Sequence, residues 1–327
     1  MFQKTDIKEN DLLAQYPEAF EILLKDRTTG GNIYWATDSY KSLGEGYGFY
    51  DEITKEKITG ENGELLKPRA SKSKDEQSHR TKEKAEVFTP SWICNKQNNL
   101  IDAAIFGGKS PFNDEVDLPD NIHIWNVIDE KIPFPTANGY TWEDYVKADR
   151  LEITCGEAPY LASRYDTTTG EFIEVPMRIG ILDRKLRVVK ENTPDESTKE
   201  NYRRYRRWAI KALQSTYGFE WQGDNLFLAR ESLFCSFMEH YREKWNRYPQ
   251  DTAAVKVAEI ISWNIWQMDG LTCGLPGYKT LERIDDGFKF EDAVKPQERL
   301  CRIREWVKGV EPLQGPEIIF ATLKNRK

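Results

Sequence analysis

Apolar positions recur at helical spacing in several stretches of the chain. Trp92, Ile93, Leu100, Ile101 and Ile105 follow Thr89-Pro90, a capping residue and first-turn proline, and predict a helix over 91–106. Leu226, Leu228, Ala229, Leu233, Phe237 and Tyr241 predict a second over 225–245. Further helices are expected at about 197–215, behind Pro194-Asp195-Glu196-Ser197, and at 252–261. Between them lie short strand-like runs: Leu151 to Cys155, stopped by Gly156; Tyr217 to Trp221; Asn264 to Met268; and Pro316 to Ala321. A helix is expected directly after Gly156. Alternating strand and helix predict an α/β fold with a parallel sheet and helices on its faces. A hairpin is expected over 164–181 around Thr169-Gly170, and 107–147 reads as a long loop with short elements. Residues 1–85, punctuated by glycine-rich turns, read as an irregular region with a few strands such as Asn32 to Ala36.

The strand ends carry the candidate chemistry. Glu152 lies in the first, Glu220 ends the second, and Asp269 follows the third. In open α/β sheets ligands bind at the carboxyl ends of the strands, where an acid can hold ribose hydroxyls or an ammonium. Gly156 lets a ligand approach the backbone.

Composition narrows the class. The 327-residue chain is long enough for a large core, and its net charge of −7 is not that of a dedicated nucleic-acid-binding domain. Basic residues nevertheless cluster, from Lys67 to Lys84 and at Arg203, Arg204, Arg206, Arg207 and Lys211, the latter interleaved with Tyr202, Tyr205 and Trp208. Such patches can hold phosphates on an acidic protein. The five cysteines form no Cys-x-x-Cys pair and there are only three histidines, so reduced thiols and no zinc site are expected. The charged start and the lack of a long apolar run lead to an expectation of a cytoplasmic protein without a membrane span.

Leu151-Glu152-Ile153-Thr154-Cys155-Gly156-Glu157-Ala158-Pro159-Tyr160-Leu161 resembles the S-adenosylmethionine motif of amino-methylating DNA methyltransferases, Leu-Glu/Asp-Pro-Ala/Ser-Cys-Gly-x-Gly-x-Phe-Leu. Ile153 replaces the proline and Ala158 the second glycine. Upstream, Glu86 to Cys94, with Phe88-Thr89-Pro90, is similar to the Tyr/Phe-Thr-Pro segment that packs over the methionine part of the cofactor in that family. Downstream, Gly218 to Arg230 is similar to the segment that bears the ribose acid, here Glu220 followed by Trp221, and Asn264 to Leu271 to the next motif, with Asp269 near the adenine. The order is that of the gamma class, as in type IIG restriction-modification enzymes.

The resemblance, over roughly 80–325, implies a Rossmann-like sheet with helices on both faces. It implies a cofactor-binding domain at 86–327, after the separate region 1–85, with an insertion at about 165–200. The implied cofactor is S-adenosylmethionine; the implied contacts are Phe88, Thr89, Pro90, Glu152, Cys155, Gly156, Ala158, Glu220, Trp221 and Asp269; the implied partner is DNA, with no metal.

These enzymes end their fourth strand with Asp/Asn/Ser-Pro-Pro-aromatic, which holds the flipped adenine. Here the candidate fourth strand, Glu317 to Ala321, is followed by Thr322-Leu323-Lys324-Asn325, and Pro-Pro occurs nowhere, so no catalytic residue is assigned. Leu275-Pro276-Gly277-Tyr278 lies too close to Asp269 to serve. Several functions stay open: a DNA adenine methyltransferase completed by a protein partner or a second copy; an inactive methyltransferase-like module in a DNA-acting complex; a restriction-endonuclease-associated protein. The insertion, with Arg178 to Arg187, and the Arg203 to Lys211 cluster are the candidate DNA- or partner-facing surface, against the alternative of a second core layer.

Overall fold

The computed structural model describes residues 5–84, 88–135, 139–276 and 300–325; Glu86, Val87, Gly277 and Tyr278 of the motifs above lie outside them. In chain order the helices and strands are α1 (Glu9–Gln15), α2 (Pro17–Leu23), α3 (Lys55–Ile58), α4 (Lys74–Lys84), α5 (Ser91–Phe106), β1 (Asn113–Leu118), β2 (Ile122–Val127), α6 (Trp142–Lys147), β3 (Arg150–Glu152), α7 (Ile181–Glu191), α8 (Lys199–Gln214), β4 (Thr216–Glu220), α9 (Gly223–Trp245), α10 (Asp251–Asn264), β5 (Ile265–Gln267), β6 (Arg302–Arg304) and β7 (Glu317–Ile319).

The result is a mixed α/β protein around a three-stranded parallel sheet, ordered β3-β4-β5. Glu152 pairs with Gly218, and Glu220 with Gln267, so the strand ends named above lie side by side. The helices are set by local signals and buried stripes. Thr198 accepts a hydrogen bond from Asn201 N and caps α8, which buries Tyr205, Trp208, Ala209, Ala212 and Leu213. Asn246, in the left-handed conformation, ends α9, whose long central run is buried all round. Helices α7 to α10 lie between successive parallel strands; α8, α9 and α10 pack on β4, α9 and α10 also on β5, and α7 packs on α8 and α9.

The second face differs from expectation. Among the described residues, Phe219, Trp266 and Met268 pack there against a two-stranded antiparallel ribbon, β6–β7, and not against a helical layer; the Phe320 and Trp266 ring centroids are 5.1 Å apart. Glu317 to Ile319 pairs with β6 and is therefore not a fourth strand of the parallel sheet. Its half-buried Ile318 and Ile319 suit a ribbon lying on a sheet as well as a strand inside one. Among the described residues, β3 is an edge strand, with Leu151 and Ile153 exposed.

Residues 5–84 hold four helices joined by irregular segments and no strand, where strands were expected. Asn32 to Ala36 makes only isolated bridges, Lys25 to Asn32 and Tyr34 to Glu52. Its apolar side chains, Ile33 and Trp35, are buried, and the segment docks on α9, where Gly223 N donates to Trp35 O at 2.9 Å. Phe20 meets Phe227 edge-on at 5.6 Å, and residues of both regions share one hydrophobic core. Each such buried aromatic contributes about 1.5–3 kcal/mol.

The stretch 107–147 contains the β1–β2 hairpin and α6, whose Thr141 and Asp144 form a reciprocal capping box. At 164–181 the structure has a tight loop closed by the Tyr165–Phe172 bridge, with Asp166 Oδ1 accepting from the backbone of Thr168 and Thr169. Helix α7 of the insertion is a core layer: Leu182 and Leu186 are fully buried, and Arg178, Arg184 and Lys185 are buried with them, whereas Arg187 and Lys190 are partly exposed. Arg184 pairs with Asp102 and donates to Asn95 and Asn99; Lys185 Nζ donates to Ala148 O, Ser215 O and Ser215 Oγ. Arg178 pairs with Glu239. Each of these buried basic groups has internal partners, although Arg178 Nη2 and Arg184 Nε have none. Among the described residues no helix is long and apolar enough to cross a membrane.

Candidate functional site

Past Glu152 the chain turns sharply. Thr154, Gly156 and Ala158 all have positive φ, at 48°, 54° and 60°. A left-handed residue at every second position prevents a helix, so residues 156–162 form turns, and no helix N-terminus lies at Gly156. Ala158, at the position where the motif has its second glycine, adopts the backbone conformation that glycine favours.

The turn is tied to the neighbouring strand. Cys155 N donates to Phe219 O at 2.9 Å, and Gly156 N to Glu220 Oε2 at 2.8 Å. The other Glu220 oxygen accepts from Gln222 N at 3.2 Å, and its carbonyl from Met268 N at 3.0 Å. Glu220 therefore links the ends of all three parallel strands. Burial raises its carboxyl pKa, although backbone donors from Gly156, Gln222 and Trp221 oppose the shift. Burial pushes Glu152 well above the usual range against backbone donors from Tyr160 and Leu161, and Glu220 adds to the rise; its Oε2 is buried and has no hydrogen-bond partner.

Phe88 brings in the upstream segment. Its buried ring lies on Gly156: a Cβ built there would stand 3.4 Å from Phe88 Cε1. The Arg69 guanidinium sits 5.1 Å from the centroid of that ring, and Arg69 N donates to Glu157 Oε1 at 2.7 Å. Tyr165 donates to the other Glu157 oxygen, also at 2.7 Å. Thr89 O accepts from Thr167 Oγ1, and Pro90 is the N-cap of α5, whose first amide, Ser91 N, donates to Asp166. Trp221 is half-buried, its ring 6.0 Å from Phe49. Asp269 Oδ1 accepts from Leu271 N at 2.8 Å and so organises the turn that follows β5.

Phe88, Glu152, Cys155, Gly156, Ala158 and Glu220 thus converge, with Trp221 and Asp269 following on the adjoining strand ends. The Arg203 to Lys211 group is elsewhere. Gly309, which faces it, donates to Gln214 just before β4, while Lys308 binds Asp149 just before β3. This places the group toward the amino ends of the strands, away from the acids. Arg203, Arg204 and Arg207 are exposed, Arg206 lies 3.6 Å from Glu311, and Lys211 is buried with its ammonium 3.6 Å from the Trp208 ring centroid.

The sequence reading missed a buried ionic cluster beside this edge. Asp224, in the first turn of α9, accepts from Arg80 at 2.8 Å and from Tyr40 Oη at 2.9 Å, with Lys72 Nζ at 3.7 Å. Two residues of the Lys67–Lys84 basic run therefore point inward. The signal available was an acid four residues past Glu220, which by itself indicates only a helix start. A second cluster, Asp183 with His240, Ser163 and Ser236, is not a nucleophile–base arrangement: both hydroxyls bond to the carboxylate and the imidazole does too. All five cysteines are free and buried. Among the described residues no cluster of three or more His, Cys, Asp or Glu is arranged to hold a metal. Comparison of the chain with protein-family profiles, curated proteins and solved structures finds no match.

Proposed function

We propose that the chain binds S-adenosylmethionine at the carboxyl edge of β3, β4 and β5, in a Rossmann-like arrangement, and acts on DNA as an adenine methyltransferase-like protein of the restriction-modification type. The observation that carries this reading is the meeting of sequence-distant segments at one point: Phe88 on Gly156, and Gly156 on Glu220. The residues fit the cofactor's chemistry. The unpartnered buried oxygen of Glu152 offers an acceptor for an ammonium and Glu220 an acceptor for ribose hydroxyls, while the bare α-carbon of Gly156 lets the Phe88 ring close over the turn. Phe88 and Trp221 supply apolar walls. The cofactor, when bound, supplies an electrophilic methyl group.

A second reading, favoured by the pairing of Glu317–Ile319 with β6, is that this chain contributes the cofactor half and a partner or second copy supplies the base-holding strand. The open edge of β3 beside Gly156 is where such a strand would lie. Tritiated-methyl transfer to mixed-sequence DNA separates the readings. Incorporation into adenine by this chain alone supports the first. Ultraviolet cross-linking of the labelled cofactor to a peptide containing Phe88 or Trp221, without transfer, supports the second. Neither cross-linking nor transfer refutes both.

A further inference from the structure

A cavity of about 520 Å³ lies among the segments before the candidate cofactor edge. One wall is Ser39, Tyr40, Ser42 and Leu43; another is Ser71, Lys72, Ser73, Glu76 and Arg80; Glu64, Leu65 and Lys67 close it. At its lining lies an unusual group. The Lys72 side chain is 7% exposed, and its Nζ is buried with no hydrogen-bond partner. An ammonium carries three donors, and burying it without an acceptor is costly.

The nearest carboxylate does not answer the need. Asp224 is 3.7 Å from Lys72 Nζ, beyond hydrogen-bond reach, and already takes Arg80 at 2.8 Å and the Tyr40 hydroxyl at 2.9 Å. Lys72 and Arg80 thus share the one buried anion Asp224, while Lys67 lies on the lining with Glu64 and Glu76. The acids on the walls are engaged elsewhere. Glu76 accepts from Ser73 N and Ser73 Oγ in the cap of α4, and Glu64 pairs with Lys8.

We propose that this cavity is a phosphate-binding site, in which Lys72 Nζ and the Ser71 hydroxyl hold a phosphate group of a nucleotide or of a nucleic-acid backbone. Hydroxyls on facing walls suit a tetrahedral anion with several oxygens, and the volume exceeds one phosphate, leaving room for the rest of the molecule. The proposal is independent of cofactor binding, because S-adenosylmethionine carries no phosphate.

The test is calorimetry on the full chain with pyrophosphate, adenosine triphosphate and a short DNA duplex. Lys72→Met removes the charge at similar length; Lys72→Arg restores it. The expected result is saturable pyrophosphate binding that weakens at least about tenfold in Lys72→Met and returns in Lys72→Arg. Lys72-dependent binding of the triphosphate but not the duplex identifies a free nucleotide; Lys72-dependent binding of the duplex identifies a backbone phosphate. Should Lys72→Met fail to fold, Ser71→Val, which fills the cavity wall, takes its place with the same expected loss. If no phosphate compound binds, or binding is unchanged in these variants, the proposal is overturned.

Discussion

Glu9 and Glu231 make the protein's stability fall with rising pH. Glu9 opens α1, is 0% exposed, and neither of its carboxyl oxygens has a hydrogen-bond partner. Burial pushes its carboxyl up to about 10, with Glu231, Asp6 and Glu64 adding repulsion. Burial likewise raises Glu231 to about 8, with Asp6 and Glu157 adding and Arg164 opposing. The folded pair is therefore protonated at neutral pH, whereas the unfolded chain loses these protons near the ordinary value of 4.5. Since the folded state holds more protons, stability is full below that value and declines as pH rises toward the folded values.

For Glu9 alone the loss by pH 7 is about 3 kcal/mol, from 2.5 pH units at about 1.4 kcal/mol each. Glu9→Gln keeps the shape and cannot ionise, so it should be more stable than the parent by up to that amount at pH 7 and equal to it at pH 4. Urea unfolding followed by tryptophan fluorescence, repeated from pH 4 to pH 9, measures the difference. If the two stability–pH curves run parallel, Glu9 is ionised in the folded protein and the reasoning is wrong.

Asp224→Asn should destabilise by about 3–5 kcal/mol, because it leaves Arg80 and Lys72 buried without their counter-charge; thermal melts at pH 7 report it. In the parent, Arg80 and Lys72 lower the Asp224 carboxyl to about 2, against the cost of burial. Its contribution of about 2 kcal/mol is complete above the ordinary value of 3.8 and lost as pH falls through about 2. An Asp224→Asn melt that tracks the parent's acid limb would contradict this. Gly223→Ala should cost about 3 kcal/mol, since its Cβ would stand 1.9 Å from Tyr34 O, a backbone atom. Limited proteolysis should then cut the chain near residues 30–50 faster than in the parent; unchanged cleavage would mean the segment docks without that contact.

The parts legible in the sequence were those set by short-range pattern. The stripe from Leu226 to Tyr241 and the acid-ended runs at Glu152, Glu220 and Asp269 were read correctly as a helix and strand ends, since periodicity and turn residues act locally. What distant partners decide was misread. Arg184 looked like a surface cation because its counter-charge, Asp102, is 82 residues away; Lys185 is satisfied by backbone carbonyls, which no composition reveals. Ile33 and Trp35 have strand-forming side chains, but they are buried without a ladder, Trp35 against Tyr40 and Tyr47, so their propensity reports burial and not pairing. The turn after Gly156 was expected to open a helix; Ala158, left-handed and fully buried, prevents it.

Calorimetric titration of the purified chain with S-adenosylhomocysteine, alongside Glu220→Gln, bears most directly on the cofactor edge. Glutamine keeps one acceptor for the Gly156 or Gln222 amide but removes the charge and one of the two acceptor oxygens. Saturable one-site binding by the parent, weakened at least about tenfold in the variant, is the predicted result. Absence of binding by the folded parent, or equal affinity in the two proteins, would contradict the assignment of this edge.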